Sequence, residues 1–403
     1  MKKLKMVLVA LVIIAIVATV AVTLVSCSGS KGTVKIGLIT LHDSSSTYDK
    51  NFIDAFDQAK AELEAEGYKV ETVVVSNIDE DDSCYNAAAE LVDEGCSIIF
   101  ADSFGHEDYM IKAAKKFTNV TFCHATGTKA HTEKLANYHN AFASIYEGRY
   151  LAGVAAGMKL AALFGNGDGT AVTAENAKVG YVGAFPYAEV VSGYTSWFLG
   201  VQSIVPNATM EVQFTGSWYD PTAEKEAANN LIQRGAKLIS QHADSMGAPT
   251  ACEEAGIPNV TYNVSTKAAC ADTYIVASRI NWAPYYKTIV KAVLAGEEIP
   301  YDYVGTLATG SVEVLEIGTA AAPGTAEKLA EVKAKIISGE LKIFDTSKFT
   351  INGEHPTTYT ADVDDYGDYV PETEAIADGI FQESKFRSAP YFAMDIDGIT
   401  KLN

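Results

Sequence analysis

Short strand-like runs alternate with longer amphipathic segments along most of the chain, and this alternation limits the possible fold more than any other feature. Residues 34–39 have the pattern of a buried strand. Residues 49–66 follow with the pattern of a helix, in which Phe52, Phe56 and Leu63 recur at three- and four-residue spacing. Strands that alternate with helices form parallel sheets covered on both faces. The sequence therefore predicts an α/β protein.

The alternation occurs in two series of similar order, which predicts two lobes. The first series comprises strands 34–39, 70–75, 97–101 and 119–123 and helices 49–66, 83–94 and 107–117. The second comprises strands 179–183, 210–214, 237–241, 260–263 and 273–278 and helices 188–204 and 221–234. The expected division places residues 33–145 in lobe 1, with return segments from about 283–340, and residues 146–282 in lobe 2. Ligands bind outside the carboxyl ends of parallel strands, so we expect a ligand cleft between the lobes.

The first 27 residues have the composition of a secretory signal. Lysines at positions 2, 3 and 5 precede a run of apolar or small residues from 6 to 25. The run ends in Leu24-Val25-Ser26-Cys27, which resembles a bacterial lipobox, so residues 1–27 are predicted to be a lipoprotein signal peptide with Cys27 acylated. The alternative is a transmembrane helix, since roughly 20 apolar residues span a bilayer. The flexible residues 28–32 favour a protein that is lipid-anchored on the extracytoplasmic face of the cell membrane.

Charge and cysteine usage exclude several classes of partner. The formal net charge of -20 argues against nucleic acid, because binding it needs clustered Lys and Arg. The cysteines after Cys27 form no CxxC pair and no zinc spacing, so neither a metal nor a cofactor is predicted. We expect a monomer with buried thiols, and a Cys84–Cys96 or Cys252–Cys270 bridge is left open. The cysteines concerned are Cys84, Cys96, Cys123, Cys252 and Cys270.

Polar and aromatic residues at the ends of predicted strands are the candidates for function. The sequence contains no nucleophile elbow, Walker loop, GxGxxG motif or HExxH pair. We therefore expect ligand binding rather than catalysis. The candidate ligand-binding residues are Asp43, Asn51, Phe52, Ser103, Phe104, His124, Trp218, His242, Asp244, Asn263 and Trp282.

Four aromatic residues fall at the same kind of position, which predicts a slot with aromatic walls. They are Phe52, Phe104, Trp218 and Trp282. A flat heteroaromatic ligand gains roughly 0.5–1.5 kcal/mol per ring pair by offset stacking. His, Asn and Asp beside the rings can pair with donors and acceptors on the edge of a ligand. The alternative for each ring is packing under a neighbouring loop, and the alternative for His242 and Asp244 is a structural pair.

Several of these segments, in the same order, resemble the basic membrane protein family of lipoproteins, which are substrate-binding components of ABC importers. The resemblance covers about residues 35–298 and includes Ser103-Phe104-Gly105, His124-Ala125-Thr126-Gly127, Tyr146-Glu147-Gly148-Arg149-Tyr150, Trp218-Tyr219-Asp220-Pro221, Gln241-His242-Ala243-Asp244-Ser245 and Trp282-Ala283-Pro284-Tyr285-Tyr286. It implies a type I periplasmic-binding-protein fold with two Rossmann-like lobes joined by crossover segments. It also implies a purine base or purine nucleoside in the cleft, and an ABC permease and ATPase as partners.

The resemblance also implies roles for individual residues. Asp49-Lys50-Asn51-Phe52 is similar to the segment whose Phe stacks on the base in nucleoside receptors of the family, and Asp43 matches an acidic ligand contact. Asn263 stands where those receptors place an Asp that holds the ribose hydroxyls. The resemblance therefore implies a purine base in preference to its nucleoside. Residues 341–403, called here the C-terminal extension, lie outside the similar part and are expected to be strands and turns packed along one lobe.

Two other functions are compatible with the sequence. The first is an exported nucleoside hydrolase that acts through Asp43, His124 and Asp244. The second is a lipoprotein that senses the ligand and passes its closed state to a signalling receptor. A binding protein needs only a cleft that closes on its ligand, so the absence of catalytic motifs favours import.

Overall fold

The structure is a computed structural model that describes residues 31–363 and 370–403. The predicted signal peptide of residues 1–27, with its lipobox and Cys27, lies outside the described residues. Among the residues that are described, no helix is both long enough and apolar enough to cross a membrane.

Strands and helices alternate along the chain, and those that the sequence predicted between residues 33 and 278 lie close to their predicted positions. The strands are β1 (Thr33–Ile39), β2 (Lys69–Val75), β3 (Ile98–Ala101), β4 (Thr121–Ala125), β5 (Tyr138–Ala143), β6 (Lys178–Gly183), β7 (Thr209–Phe214), β8 (Ile239–His242), β9 (Asn259–Tyr262), β10 (Tyr274–Ile280), β11 (Asp302–Gly305), β12 (Val312–Val314), β13 (Thr360–Ala361), β14 (Thr373–Glu374), β15 (Ile376–Ala377), β16 (Ile380–Phe381) and β17 (Ile399–Lys401). The α-helices are α1 (Thr47–Ala65), α2 (Asp82–Asp93), α3 (Glu107–Lys116), α4 (Ala130–Glu133), α5 (Ile145–Phe164), α6 (Ala188–Gln202), α7 (Pro221–Gln233), α8 (Gly247–Ala255), α9 (Ala283–Ala295) and α10 (Thr325–Ile337).

Two mainly parallel sheets share one strand order. The first sheet has the order β2-β1-β3-β4-β5-β11, and the second has the order β17-β7-β6-β8-β9-β10-β12. β1 pairs in parallel with β2 and with β3, and β6 pairs in the same way with β7 and with β8. The strand order therefore reverses beside β1 and beside β6, which is where open α/β sheets bind ligands. The predicted α/β class with two Rossmann-like lobes is confirmed.

Helix α1 begins two residues before its predicted start because Ser46 caps it. The backbone of Ser46 is extended, and its Oγ accepts a hydrogen bond from the backbone N–H of Asp49 at 3.3 Å. Phe52, Phe56 and Leu63 form the buried face of the helix, as their spacing predicts. Helix α1 packs against β2 and α9 and thereby brings its first turn to the carboxyl end of β1.

Helices α5 and α6 approach each other at two glycines. A Cβ added to Gly153 would lie 2.0 Å from the carbonyl oxygen of Trp197, and one added to Gly200 would lie 2.2 Å from that of Tyr150. Both distances are far below van der Waals contact, so only glycine permits this approach. The close pairing buries α5 against the second sheet, where it contacts β10.

The segment from 283 to 340 divides between the two sheets. β11 pairs in parallel with β5 in the first sheet, whereas β12 pairs antiparallel with β10 in the second. The sequence predicts that return segments from about 283–340 belong to lobe 1; β11 does, but β12 belongs to the second sheet. The short strand lies along the outer edge of β10, whose backbone groups need partners, and a three-residue strand gives too little pattern to assign it to a sheet.

The C-terminal extension contacts both lobes, and the prediction that it packs along one lobe is wrong. β17 pairs in parallel with β7 at the edge of the second sheet. On the other lobe, Ser388 donates hydrogen bonds from its N–H and its Oγ to Asp302 Oδ1 at 2.8 and 2.7 Å. Within the extension the rings of Phe344 and Phe392 stack at 4.4 Å, and Tyr146 of α5 lies 5.1 Å from Phe344. The extension therefore packs on the framework that joins the lobes.

All the cysteines in the described part of the chain carry free, buried thiols. The Cys84–Cys96 and Cys252–Cys270 bridges that the sequence left open do not form in the structure. The residues concerned are Cys84, Cys96, Cys123, Cys252 and Cys270.

Candidate functional site

A cavity lies between the lobes at the carboxyl ends of their parallel strands. Residues of lobe 1 that follow β1, β3 and β4 or belong to α1 form one wall: Leu41, His42, Tyr48, Asp49, Ser103, Phe104 and Thr126. Residues of lobe 2 that follow β6 and β7 or lie at the end of β8 form the other: Glu189, Trp218, His242 and Asp244. The cavity volume is about 20 Å³, which is room for about one water molecule. A planar bicyclic ligand is therefore admitted only when the walls move apart.

The wall of lobe 1 contains an imidazole and a carboxylate that bind each other. His42 donates its backbone N–H to Asp49 Oδ1 at 2.8 Å, and His42 Nδ1 lies 3.5 Å from Asp49 Oδ2. The hydrogen bond with Asp49 raises the pKa of His42 against the opposing effect of burial. Burial alone would raise the pKa of Asp49, but hydrogen bonds from His42 and Ser46 outweigh it, and the net result is a lowered pKa. This wall therefore presents an ionised carboxylate.

The wall of lobe 2 contains the same two residue types, and the pKa of each is shifted toward its uncharged form. Burial raises the pKa of Asp244 well above its ordinary value, and the nearby carboxyl groups of Glu224, Asp49 and Glu189 raise it further. Burial also lowers the pKa of His242, whose Nε2 lies 3.4 Å from Glu189 Oε1. A neutral carboxyl group offers one O–H donor in addition to its acceptors, and a neutral imidazole offers one donor and one acceptor. This wall is therefore suited to the edge of an uncharged heterocycle.

Asn263 and Arg149 hold the wall of lobe 2 from behind. Asn263 Nδ2 donates to Asp244 Oδ1 at 3.1 Å, from a backbone with a φ of 70° that asparagine tolerates better than most residues. The buried guanidinium of Arg149 donates to the carbonyl oxygen of Gln241 at 3.2 Å and lies 5.0 Å from the ring of Tyr262. These contacts fix the end of β8, where His242 enters the cavity.

The four predicted aromatic residues separate into two pairs. Phe104 and Trp218 line the cavity from opposite lobes. Phe52 and Trp282 are buried and stack on each other at 4.4 Å, one layer behind the cavity. The single slot with four aromatic walls is therefore wrong, because α1 turns Phe52 into the core. A ring that the sequence did not select, Tyr187, stacks on Phe104 at 5.7 Å and lies 6.0 Å from Trp218, so it joins the two cavity rings across the lobes.

Of the other predicted residues, Asp43 and His124 do not line the cavity, whereas Ser103 does. Asp43 is exposed and its Oδ1 accepts a hydrogen bond from the N–H of Ser45. His124 is buried and its Nε2 lies 2.6 Å from the carbonyl oxygen of Ser103. The hydrolase alternative needs Asp43, His124 and Asp244 in one place, and the structure does not bring these three side chains to a common cavity wall. Ser103 does line the cavity, but its Oγ donates to Glu80 at 2.6 Å.

Asn51 lies between the lobes and connects them. Its Nδ2 donates to the carbonyl oxygen of Ile280 in β10 at 2.8 Å. Close by, the N–H of Thr47 in α1 donates to the carbonyl oxygen of Asp244 at 2.8 Å. The first two turns of α1 thus bind the second lobe directly beside the cavity.

Sequence reasoning missed several residues that line the cavity. Among them, His42 lies three residues after the end of β1, and Glu189 lies in the first turn of α6, the helix that follows β6. Their positions after strands could have identified them as candidates, but histidine and glutamate are also common on protein surfaces. Asp49 belongs to a segment that the sequence did single out, and its neighbour Phe52 was chosen instead.

The sequence model of a family described as ABC transporter substrate-binding protein, PnrA-like, matches residues 36–347. The chain belongs to this Bmp family. The resemblance to basic membrane proteins predicted from the sequence motifs is thereby confirmed. Substrate-binding proteins of ABC importers bind small-molecule ligands and work with a permease and an ATPase, and that is the class of this protein.

Individual relatives and a solved structure agree with the family. A purine-binding protein of Brucella abortus is 36% identical over 290 residues, which are 72% of this chain and 77% of that protein. A Haloferax volcanii protein, provisionally named an ABC transporter glucose-binding protein, is 29% identical over 295 residues, 73% of this chain and 71% of that protein. A solute-binding protein structure from Aeropyrum pernix K1 superposes with a TM-score of 0.64 at 17% identity, over 80% of this chain and 95% of that one. The superposition confirms the predicted periplasmic-binding-protein fold.

Proposed function

We propose that this protein is the purine-binding component of an ABC importer and holds a purine base or purine nucleoside in the cavity between its lobes. The observation that carries the proposal is the combination of Phe104 and Trp218 with His242 and Asp244 around one cavity, where the pKa shifts of His242 and Asp244 both favour their uncharged forms. The similarity to the purine-binding protein of Brucella abortus supports the same ligand class.

In the proposed complex, one set of residues contacts the face of the purine ring and another set contacts its edge. The rings of Phe104 and Trp218 stack on the purine face, each contributing roughly 0.5–1.5 kcal/mol beyond the burial of area. His242 and Asp244 pair with the ring nitrogens and the exocyclic group on the purine edge. A purine edge is uncharged near neutral pH, so neutral partners avoid the cost of burying an unpaired charge. Asn263 acts by orienting Asp244.

Closure of the two lobes follows from contacts that the ligand makes with both of them. Helix α1 already joins the lobes through Thr47 and Asn51. A ligand that contacts both Phe104 in lobe 1 and His242 in lobe 2 binds the closed arrangement more tightly than the open one. It therefore stabilises the closed arrangement. The closed protein then delivers the purine to the permease.

Calorimetry on residues 28–403 with adenine, adenosine, hypoxanthine, inosine and glucose tests the ligand class. We expect binding of at least one purine and none of glucose. Thermal unfolding gives an independent reading, since a ligand at 100 times its dissociation constant stabilises the protein by about 2.7 kcal/mol. Binding of glucose without any purine contradicts the proposal, and release of free adenine from adenosine supports the hydrolase instead.

We also propose that Cys27 carries the lipid anchor and that residues 1–26 are absent from the mature protein, which places the binding site on the extracytoplasmic face of the cell membrane. Two or three acyl chains anchor a protein firmly, because each buried methylene contributes about 0.8 kcal/mol. Mass spectrometry of the native amino terminus tests this. An intact Met1, or a Cys27→Ala protein that stays in the membrane fraction like the wild type, contradicts it.

A further inference from the structure

A second cavity adjoins the first, and the C-terminal extension forms part of its wall. Its volume is about 280 Å³, many times that of the cavity between His242 and Asp244. The two cavities are neighbours, since four residues line both: Phe104, Thr126, Glu189 and Trp218. Four residues of the extension line the second cavity on its far side: Asp362, Arg387, Ala389 and Pro390.

Contacts on both lobes hold this part of the extension in place. On lobe 2, β17 pairs with β7, and the side-chain amide of Asn403 binds the backbone N–H and carbonyl of Phe214 at 2.9 and 2.8 Å. On lobe 1, Ser388 binds Asp302 through two hydrogen bonds. The wall therefore belongs to the folded framework.

The side chain of Arg387 makes the wall rigid. Its guanidinium is buried and donates to the carbonyl oxygens of Ala389 and Pro390, at 3.2 Å in each case. A guanidinium that is occupied by backbone carbonyls fixes the loop around it, and Ala389 in this loop lines the cavity.

We propose that the C-terminal extension forms a second ligand subsite, which receives a hydroxylated substituent carried by the purine. The inference rests on the function proposed for the first cavity. The family model ends at residue 347, so the four residues of the extension lie beyond the part of the chain that defines the family. The extension would then decide which purines this protein distinguishes.

The chemistry of the second cavity matches a substituent that has both hydroxyl groups and apolar faces. Glu189 and Asp362 line it and bring carboxyl groups to it, and hydrogen bonds from hydroxyls to carboxylates are roughly twice as strong as bonds between neutral groups. Pro390, Tyr187 and Trp218 supply apolar walls for the C–H faces of a ring. These acceptors stand in for the carboxylate that Asn263 does not provide, and they reverse the expectation that a bare base is preferred.

The test is the ratio of adenosine affinity to adenine affinity, measured by calorimetry on residues 28–403. Ala389→Leu puts three extra carbons into the second cavity. We expect it to weaken adenosine binding about tenfold or more and to leave adenine binding nearly unchanged. Ala377→Leu makes the same change at an exposed position of the same extension and should leave both affinities unchanged.

Asp362→Asn provides a second variant of nearly identical shape. It should lower the adenosine-to-adenine ratio by about threefold to tenfold, because charged acceptors bind hydroxyls more strongly than neutral ones. If Ala389→Leu does not fold, this variant decides the question. If the folded variants leave the adenosine-to-adenine ratio unchanged and adenine still binds, the second subsite is wrong and the proposed function stands. A wild-type protein that binds neither compound overturns both.

Discussion

The two walls of the cavity carry the same two residue types, a histidine and an aspartate, but shift their pKa values in opposite directions. On lobe 1 the pKa of His42 is raised and that of Asp49 is lowered. On lobe 2 the pKa of His242 is lowered and that of Asp244 is raised. Both aspartates are buried, so burial alone does not explain the difference.

Hydrogen bonding to the charged form explains it. Asp49 accepts hydrogen bonds from the backbone N–H of His42 and from the hydroxyl of Ser46 at the start of α1. Asp244 has the side chain of Asn263 as its donor and lies near other carboxyl groups, among them Glu224. Hydrogen bonds therefore favour the charged form of Asp49, whereas burial and neighbouring carboxyl groups favour the uncharged form of Asp244.

The largest expected effect is on stability, and it should distinguish Phe52, in the layer behind the wall of lobe 1, from Phe104, in the wall itself. Phe52→Ala removes a buried ring that stacks on Trp282, so we expect a loss of about 3–5 kcal/mol in the free energy of unfolding. Phe104→Ala on the same lobe removes a ring that is 42% exposed and should cost far less stability. Denaturant unfolding measures both. Equal losses would mean that the two rings do not lie in different layers.

The next effect concerns the aromatic face of lobe 2. Trp218→Ala should weaken purine binding by about 1–3 kcal/mol while the fold stays intact, because Trp218 is half-buried and lines the cavity. Trp282→Ala is the matched control and should lower the melting temperature. Calorimetry and thermal unfolding separate the outcomes, and a normal affinity with a lowered melting temperature for Trp218→Ala contradicts its role in stacking.

Replacing each aspartate by asparagine should have opposite consequences on the two walls. Asp49→Asn removes an ionised acceptor and should lower stability at neutral pH by about 1–2 kcal/mol. Asp244→Asn replaces a carboxyl whose raised pKa disfavours its charged form in the folded protein, so this change should be neutral or stabilising. Urea unfolding between pH 3 and 7 compares them.

The pH dependence of the wild type follows from the same two pKa shifts. The contribution of Asp49 is present above the unfolded value near 3.8 and is lost as the pH falls through its lower folded pKa. The raised pKa of Asp244 acts in the other direction, since stability decreases as the pH rises above 3.8 and the unfolded state releases the proton. If Asp244→Asn destabilises the protein at pH 7 as much as Asp49→Asn, the proposed difference between the walls is wrong.

The smallest effect is the titration of the two histidines, read by NMR. His42 should titrate above 6.5 and His242 below it. His42 adds stability below about pH 6.5 that is lost as the pH rises through its folded pKa, whereas His242 reduces stability as the pH falls below 6.5. His42→Gln and His242→Gln assign the two signals. Titration of both at the same pH would contradict the comparison.

Much of the framework could be predicted from the sequence, and so could part of the site. The helical spacing of Phe52, Phe56 and Leu63 and the burial of the strands predicted the α/β layers, because hydrophobic periodicity is local. Positions after strands selected Trp218, His242 and Asp244, since parallel strands end at one edge of a sheet. Phe52 and Trp282 were misplaced because a ring in the segment that follows a strand has the same local pattern whether it faces a cavity or the core.

The sequence by itself determined the alternation of strands and helices, the division into two series and the segments that carry the ligand-binding candidates, because each of these depends on neighbours within a few turns. Only the tertiary structure decided which side chains meet. The crossing of Asn51 to the second lobe and the contact of the C-terminal extension with both lobes join parts of the chain that lie up to about 230 residues apart. The pKa of each aspartate depends on its burial and on its hydrogen-bond donors, and these cannot be read from the local sequence.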